Sequence, residues 1–351
     1  MMAKVKTVCP RCGRSLQYEP RHRGKTVKCL VCGNPITLPD APRRKFVVYP
    51  AVLAAIAVVV ALTGAWSVWP SHFRWPDRRP IGVLDLASDY FSSPTNPRGW
   101  FNDKTLDVTG PGGPQRFRKA LDDYTDRSIA VLKRAGAQGV IVWDLEGEQY
   151  PHKITYIGDP RLLGRLAPEM DLAADEFFRR LRNAGFRVGV TIRPQQLVFG
   201  DDGQPRQKNV LDINKLLLEK IDYARARWGA TLFYVDSNDG FFRPDEIWQL
   251  RRVAEERPDI LLIPEHHSLF YRAFSAPFEG LARGGSPETS VWARRLFPGS
   301  FQSLYIADAT NDPDIIALAQ WQGDVLLFRA WYWNPDCTLL ERVGNLHPTA
   351  P

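Results

Sequence analysis

Two groups of residues in this 351-residue chain have types and spacing suited to chemistry. The first is Cys9-Pro-Arg-Cys12-Gly and Cys29-Leu-Val-Cys32-Gly, two CxxC knuckles with 16 residues between them. Thiolates two residues apart can face one ion, and four of them close a tetrahedral site at about 2.3 Å. The glycine after each knuckle lets backbone amides approach sulfur. Zn2+ fits this ribbon spacing, and a rubredoxin-like iron site uses the same four thiolates. Residues 1–45 are too few to hold a core without a staple, so the metal is expected to be structural. The second group is acidic and aromatic. It comprises Asp85, Asp144 with Glu146, Asp236 with Asn238 and Asp239, Glu265 with His266 and His267, Asp308, and Trp331-Tyr332-Trp333, joined by Arg193. Paired carboxylates can attack C1 of a sugar and protonate the leaving oxygen, and flat aromatic faces stack on sugar rings. Any one acid alone equally suits a helix cap or a partner for Arg193.

The elements that must position the second group repeat as helix, glycine stop and apolar strand. Phe117, Leu121, Tyr124, Ser128 and Val131 mark one helix face, followed by Gly136 and a strand over Gly139–Asp144. Met170, Phe177 and Leu181 precede Gly185 and the strand Phe186–Ile192. Leu217, Ile221, Ala224 and Trp228 precede Gly229 and the strand Ala230–Asp236. Pro244-Asp245-Glu246 opens a helix leading to the strand Asp259–Pro264. Adding Ile81–Leu86, a weak strand near Ser290–Ala293, Phe301–Ala307 and Asp324–Phe328 predicts eight strands, which fits an α/β fold of the (β/α)8 TIM-barrel type over 81–334. Barrels of this kind collect their chemistry at the C-terminal strand ends, where the acidic group falls. A doubly wound sheet is the runner-up, and no glycine-rich phosphate loop follows the first strand.

The formal charge is +7, but residues 1–45 hold eleven Lys/Arg against two acids, so the remainder is slightly acidic. A basic whole chain would point to nucleic acid; a basic end does not. Residues 46–70 contain no charged side chain, and Ala51–Trp69 has the length and apolarity of a transmembrane helix. The basic flank predicts an N-terminus in the cytoplasm and a single-pass protein of the cytoplasmic membrane, with its C-terminal domain outside. Only Cys337 lies on that outer side, so it holds no disulfide framework. A short linker is expected over 71–80 and a tail over 335–351.

Val8–Pro39, with CPxCG, Gly24-Lys25, CxxCG and Leu38-Pro39, resembles the short zinc ribbons at the N-termini of bacterial proteins. That resemblance implies a small interaction module with a cytoplasmic protein or nucleic-acid partner, and no activity. Phe-Tyr-Val-Asp236-Ser-Asn and Ile-Pro-Glu265-His-His resemble the fourth and fifth strand ends of TIM-barrel glycoside hydrolases, most closely the α-amylase-like and α-galactosidase-like groups. The resemblance implies Asp236 as nucleophile, Glu265 as acid/base and Asp308 as a third carboxylate gripping hydroxyls. Trp143, Asp144, Arg193, Asn238, His266, Trp331 and Trp333 are expected to bind substrate. The α-amylase-like group has an Arg two residues before its nucleophile; Tyr234 stands there in this chain, which leaves Arg193 to supply an orienting charge. The expected function is a membrane-anchored, extracytoplasmic glycoside hydrolase acting on oligo- or polysaccharide. The alternative is a non-catalytic carbohydrate-binding barrel coupled through the span to the ribbon.

Overall fold

The computed structural model describes residues 5–39, 73–238, 244–266, 268–280, 288–306 and 313–328. The chain divides into two compact units, Met1–Val68 and Trp69–Pro351. The span expected over 46–70, most of the linker, the tail, Asp239, His267, Asp308, Trp331 and Trp333 lie outside the described residues. Among the described residues no helix is long and apolar enough to cross a membrane.

The first unit contains two antiparallel hairpins. β1 (Val5–Val8) pairs with β2 (Ser15–Tyr18), and β3 (Thr26–Lys28) pairs with β4 (Pro35–Thr37). Each hairpin turn is a cysteine knuckle, and each knuckle ends on a glycine in left-handed backbone, Gly13 at φ 68° and Gly33 at φ 70°. The two knuckles share one hydrogen-bond pattern: the Gly13 amide donates to the Cys9 carbonyl and the Gly33 amide to the Cys29 carbonyl. The buried apolar core around them is Cys9, Cys29 and Ile36. That is too little apolar area to offset the chain entropy of two hairpins.

The second unit is an eight-stranded, all-parallel sheet with helical cover, an α/β barrel. Its strands are β5 (Ile81–Leu84), β6 (Gly139–Val142), β7 (Arg187–Ile192), β10 (Leu232–Val235), β11 (Leu261–Pro264), β12 (Phe278–Gly280), β13 (Ser303–Ile306) and β14 (Val325–Phe328). An extra antiparallel hairpin, β8 (Gln195–Phe199) with β9 (Pro205–Asn209), follows β7. The helices are α1 (Gly113–Arg134), α2 (Leu163–Leu166), α3 (Pro168–Asn183), α4 (Ile213–Trp228), α5 (Pro244–Glu256), α6 (Val291–Leu296) and α7 (Pro313–Gln322). Apart from β11 and β12, each barrel strand pairs with its neighbour in chain order, and β14 returns to β5, Leu327 opposite Ile81. Between β11 and β12 no ladder forms; the Ala276 amide donates to the Leu262 carbonyl at 3.0 Å and nearly closes the ring.

One strand differs from the sequence reading. Ser290–Ala293 is not a strand: Ser290 caps α6, its hydroxyl accepting from the Ala293 amide at 3.1 Å. The sixth strand is Phe278–Gly280 instead, paired with β13. Three residues are too short to show a period.

Side-chain alternation fixes what faces inward. Ile81 and Val83, Ile141 and Trp143, Leu232 and Tyr234, Leu261 and Ile263, Phe278, and Val325 and Leu327 fill the barrel. At Gly189 a Cβ would meet the Leu232 carbonyl oxygen at 2.1 Å, so β7 and β10 approach there only because the residue is glycine. Above the aliphatic layer lies an aromatic one. Trp143 stacks on Tyr234 at 5.0 Å and on Tyr305 at 5.2 Å between ring centroids, with Phe278 edge-on at 6.4 Å.

Candidate functional site

The inward parity of the strands continues one step past their ends. Two residues beyond Val83, Thr191, Tyr234 and Ile263 stand Asp85, Arg193, Asp236 and Glu265, so the layer above the aromatic floor is charged. Backbone bonds extend the ladder to this level: the Asp236 amide donates to the Ile192 carbonyl and the Glu265 amide to the Val235 carbonyl, both at 3.0 Å. The site therefore sits on the sheet itself.

Asp236 and Glu265 converge. The two carboxyls are near enough for each to bear on the other's charge. Arg193 donates to Asp236 through Nε and forms an ion pair with it. Ser237 Oγ lies 3.2 Å from the same Asp236 oxygen. Ser237 itself is left-handed at φ 56°, an uncommon conformation for serine, and in it the Ser237 amide donates to Glu265 Oε2 at 2.8 Å. Burial pushes the Asp236 carboxyl up to about 6; Arg193 pulls against that rise and Glu265 adds to it. Two neighbouring carboxyls do not both ionise cheaply. The guanidinium contact favours the charged form of Asp236.

The other expected site residues divide. His266 is on the rim, its side chain 55% exposed, with Nε2 3.7 Å from Glu265 Oε2. Trp143 and Asn238, expected to bind substrate, are both buried. Trp143 is only 6% exposed and its ring is stacked on two tyrosines, so it forms the floor under the mouth. Asn238 is fully buried and braces the two strand ends: Nδ2 donates to the Tyr271 hydroxyl at 3.0 Å, and Oδ1 accepts from the His266 amide at 3.1 Å. Asp144 is buried as well, accepting from the Tyr156 amide at 3.1 Å; burial and then the nearby Asp85 push its carboxyl well above the usual range.

Lys220 and Ser237 were not among the expected site residues. Lys220 is fully buried in α4, and its Nζ donates to the carbonyls of Gly158 at 3.0 Å, Arg193 at 2.8 Å and Gln195 at 2.9 Å. Asp159 lies 3.6 Å away. Burial pulls Lys220 down to about 8, but three acceptors need three N–H groups, which only the ammonium supplies. The lysine thus ties the loops after β6 and β7 together and fixes the backbone of Arg193. Its signal in the sequence was a lysine inside the α4 apolar stripe Leu217, Ile221, Ala224 and Trp228. Lys220→Met is expected to cost about 3–5 kcal/mol, because it takes the ammonium donors away from three carbonyls in a buried site. Urea unfolding followed by tryptophan fluorescence measures this.

Buried acids give the second unit a characteristic pH dependence. Burial raises Glu146 and Glu148 to about 7 and Asp324 to about 6. A raised carboxyl binds its proton more tightly folded than unfolded. Its stabilisation is full below the unfolded value near 4 and is lost as pH rises through the folded value. The melting temperature is expected to fall by several degrees between pH 5 and pH 8, with a smaller fall in Glu148→Gln. Calorimetry across that range checks it.

The four knuckle cysteines form the other site. Their sulfurs all lie within 4.8 Å of one another, with Cys9–Cys32 and Cys12–Cys29 each at 3.7 Å. The amides of Cys12 and Arg11 hold the Cys9 thiol below its ordinary value, and those of Val31 and Cys32 bring Cys29 down to about 6. Four thiols gathered this closely fit a single metal ion. Among the described residues this is the one group of three or more metal-ligating side chains so arranged.

No family model matches the chain, and no curated protein does. Solved structures with a similar chain course include the maltogenic α-amylase AmyB of Thermotoga neapolitana. It is 13% identical with a TM-score of 0.42, over 72% of this chain and 67% of that one. Another is α-L-fucosidase isoenzyme 1 of Paenibacillus thiaminolyticus, 12% identical with a TM-score of 0.45, over 79% and 75%. The α-fucosidase of Thermotoga maritima is 13% identical with a TM-score of 0.40, over 80% and 74%.

Proposed function

We propose that the second unit is a retaining glycoside hydrolase in which Asp236 is the nucleophile and Glu265 the general acid/base. The observation that carries this reading is the convergence of the two carboxyls from adjacent strand ends, with Arg193 bound to Asp236. Asp236, charged, attacks the anomeric carbon while Glu265, protonated, gives its proton to the leaving oxygen. Glu265, now a carboxylate, then takes a proton from the water that cleaves the glycosyl ester. The retaining course, in which the two carboxyls work about 5–5.5 Å apart rather than about 6.5–9.5 Å, is the one proposed. His266, on the rim beside Glu265, is placed to meet the leaving group. Asp308, Trp331 and Trp333 complete the expected substrate set.

The ribbon is proposed to hold Zn2+, and 46–70 to anchor the chain in the cytoplasmic membrane with the barrel outside. The activity is tested by incubating the full-length chain with a panel of aryl glycosides and polysaccharides, and release of sugar with retained anomeric configuration is expected. The topology is tested by fusing to the C-terminus a phosphatase that folds only outside the cytoplasm. An active fusion is expected, and an inactive one that accumulates in the membrane reverses the orientation.

A further inference from the structure

The second cysteine knuckle carries two aliphatic side chains with nothing to bury them. Leu30 is 95% exposed and Val31 64% exposed, and Val8, beside the first knuckle, is 58% exposed. Leu30 and Val31 lie between Cys29 and Cys32, so an ion bound by the four sulfurs would fix the backbone on both sides of them. They are therefore presented on a rigid turn. The rest of the surface is basic: residues 5–39 hold seven Lys/Arg against one Glu, and all seven are exposed.

A rigid aliphatic tip in a cationic surround matches an interface that is anionic outside and apolar just beneath. We propose that the ribbon lies on the cytoplasmic face of the membrane that the chain spans, with Leu30 and Val31 inserted among anionic lipid headgroups. Lys6, Arg11, Arg14, Arg23, Lys25 and Lys28 supply attraction to the negative leaflet, and the aliphatic pair leaves water for the acyl boundary. The inference rests on the span over 46–70. The described ribbon ends at Pro39, so the chain between holds that end of the ribbon no more than about 25 Å from the start of the span. That tether replaces the search in solution with a high local concentration of lipid. Nucleic acid would satisfy the cations, but a phosphate backbone offers nothing to Leu30 and Val31.

The test is amide hydrogen exchange of residues 29–33 in the full-length chain. It is reconstituted in lipid nanodiscs of phosphatidylcholine alone or of phosphatidylcholine with phosphatidylglycerol. Exchange is expected to slow about tenfold in the anionic discs, and the slowing to shrink as salt is raised. Leu30→Asp with Val31→Asp is expected to abolish the slowing while each chain keeps its metal, which excludes unfolding as the cause. Equal exchange in the two discs with the chain fully incorporated overturns the proposal and leaves the span standing. Slowing that appears only when duplex DNA is added assigns the surface to nucleic acid and also overturns it. A chain that stays out of the discs removes the span, and this inference with it.

Discussion

Asp236→Asn is expected to lower turnover of any glycoside the protein cleaves by roughly 10³-fold or more, since an amide neither attacks carbon nor holds the charge that Arg193 faces. Glu265→Gln is expected to cost about 10²–10⁴-fold on substrates whose leaving group needs a proton. The two losses separate by leaving group. A dinitrophenyl glycoside departs without protonation, so it should recover much of the first step in Glu265→Gln and none of it in Asp236→Asn. The wild-type pH profile carries its acid limb near pH 6, where Asp236 becomes protonated and ceases to be a nucleophile. Steady-state kinetics with both leaving-group classes, and near-ultraviolet circular dichroism to verify folding, are the measurements. Equal losses on both substrates in both variants would mean that the roles are assigned wrongly.

Removing the metal should unfold the ribbon and leave the barrel intact. The buried apolar residues of the ribbon are Cys9, Cys29, Ile36, Tyr18 and Leu38, with Leu16 and Cys32 packed against the cysteine cluster. Metal binding supplies about 10–16 kcal/mol in comparable thiolate sites, and there it is folding free energy. With a strong chelator, or in Cys29→Ser, the amides of 5–39 are expected to exchange at unfolded rates and the segment to become protease-sensitive. The unfolding transition and glycosidase activity of the second unit are expected to stay unchanged, because its core shares no residue with the ribbon. Elemental analysis should give one zinc per chain before chelation. Ribbon amides that remain protected after complete metal loss would contradict a structural metal.

The barrel was legible in the sequence where elements are long or glycine-punctuated. Helix faces such as Phe117 to Val131 and Leu217 to Trp228, and strands ending at Asp236 and Pro264, stand where the apolar period placed them. The sixth strand was not legible, because Phe278–Gly280 has too few residues for alternation and Ser290 reads equally as strand start or helix cap. The acidic strand ends were legible as a group, and parity along each strand placed Asp85, Arg193, Asp236 and Glu265 in one layer. Which aromatics face substrate was not legible. Trp143 differs from a sugar platform only in what stacks on it, and Tyr234 and Tyr305 come from strands far away in the chain. Asn238 and Lys220 act through partners in other elements, which a single run of residues does not display.

The most direct test of the hydrolase reading is to trap the glycosyl-enzyme. The full-length chain is treated with 2-deoxy-2-fluoro glycosyl fluorides of the sugars it hydrolyses, digested, and mapped by mass spectrometry. The account predicts one glycosyl adduct on Asp236, formed in the wild type and in Glu265→Gln and lost in Asp236→Asn. An adduct on another carboxylate, or hydrolysis with inversion and no adduct, would contradict it.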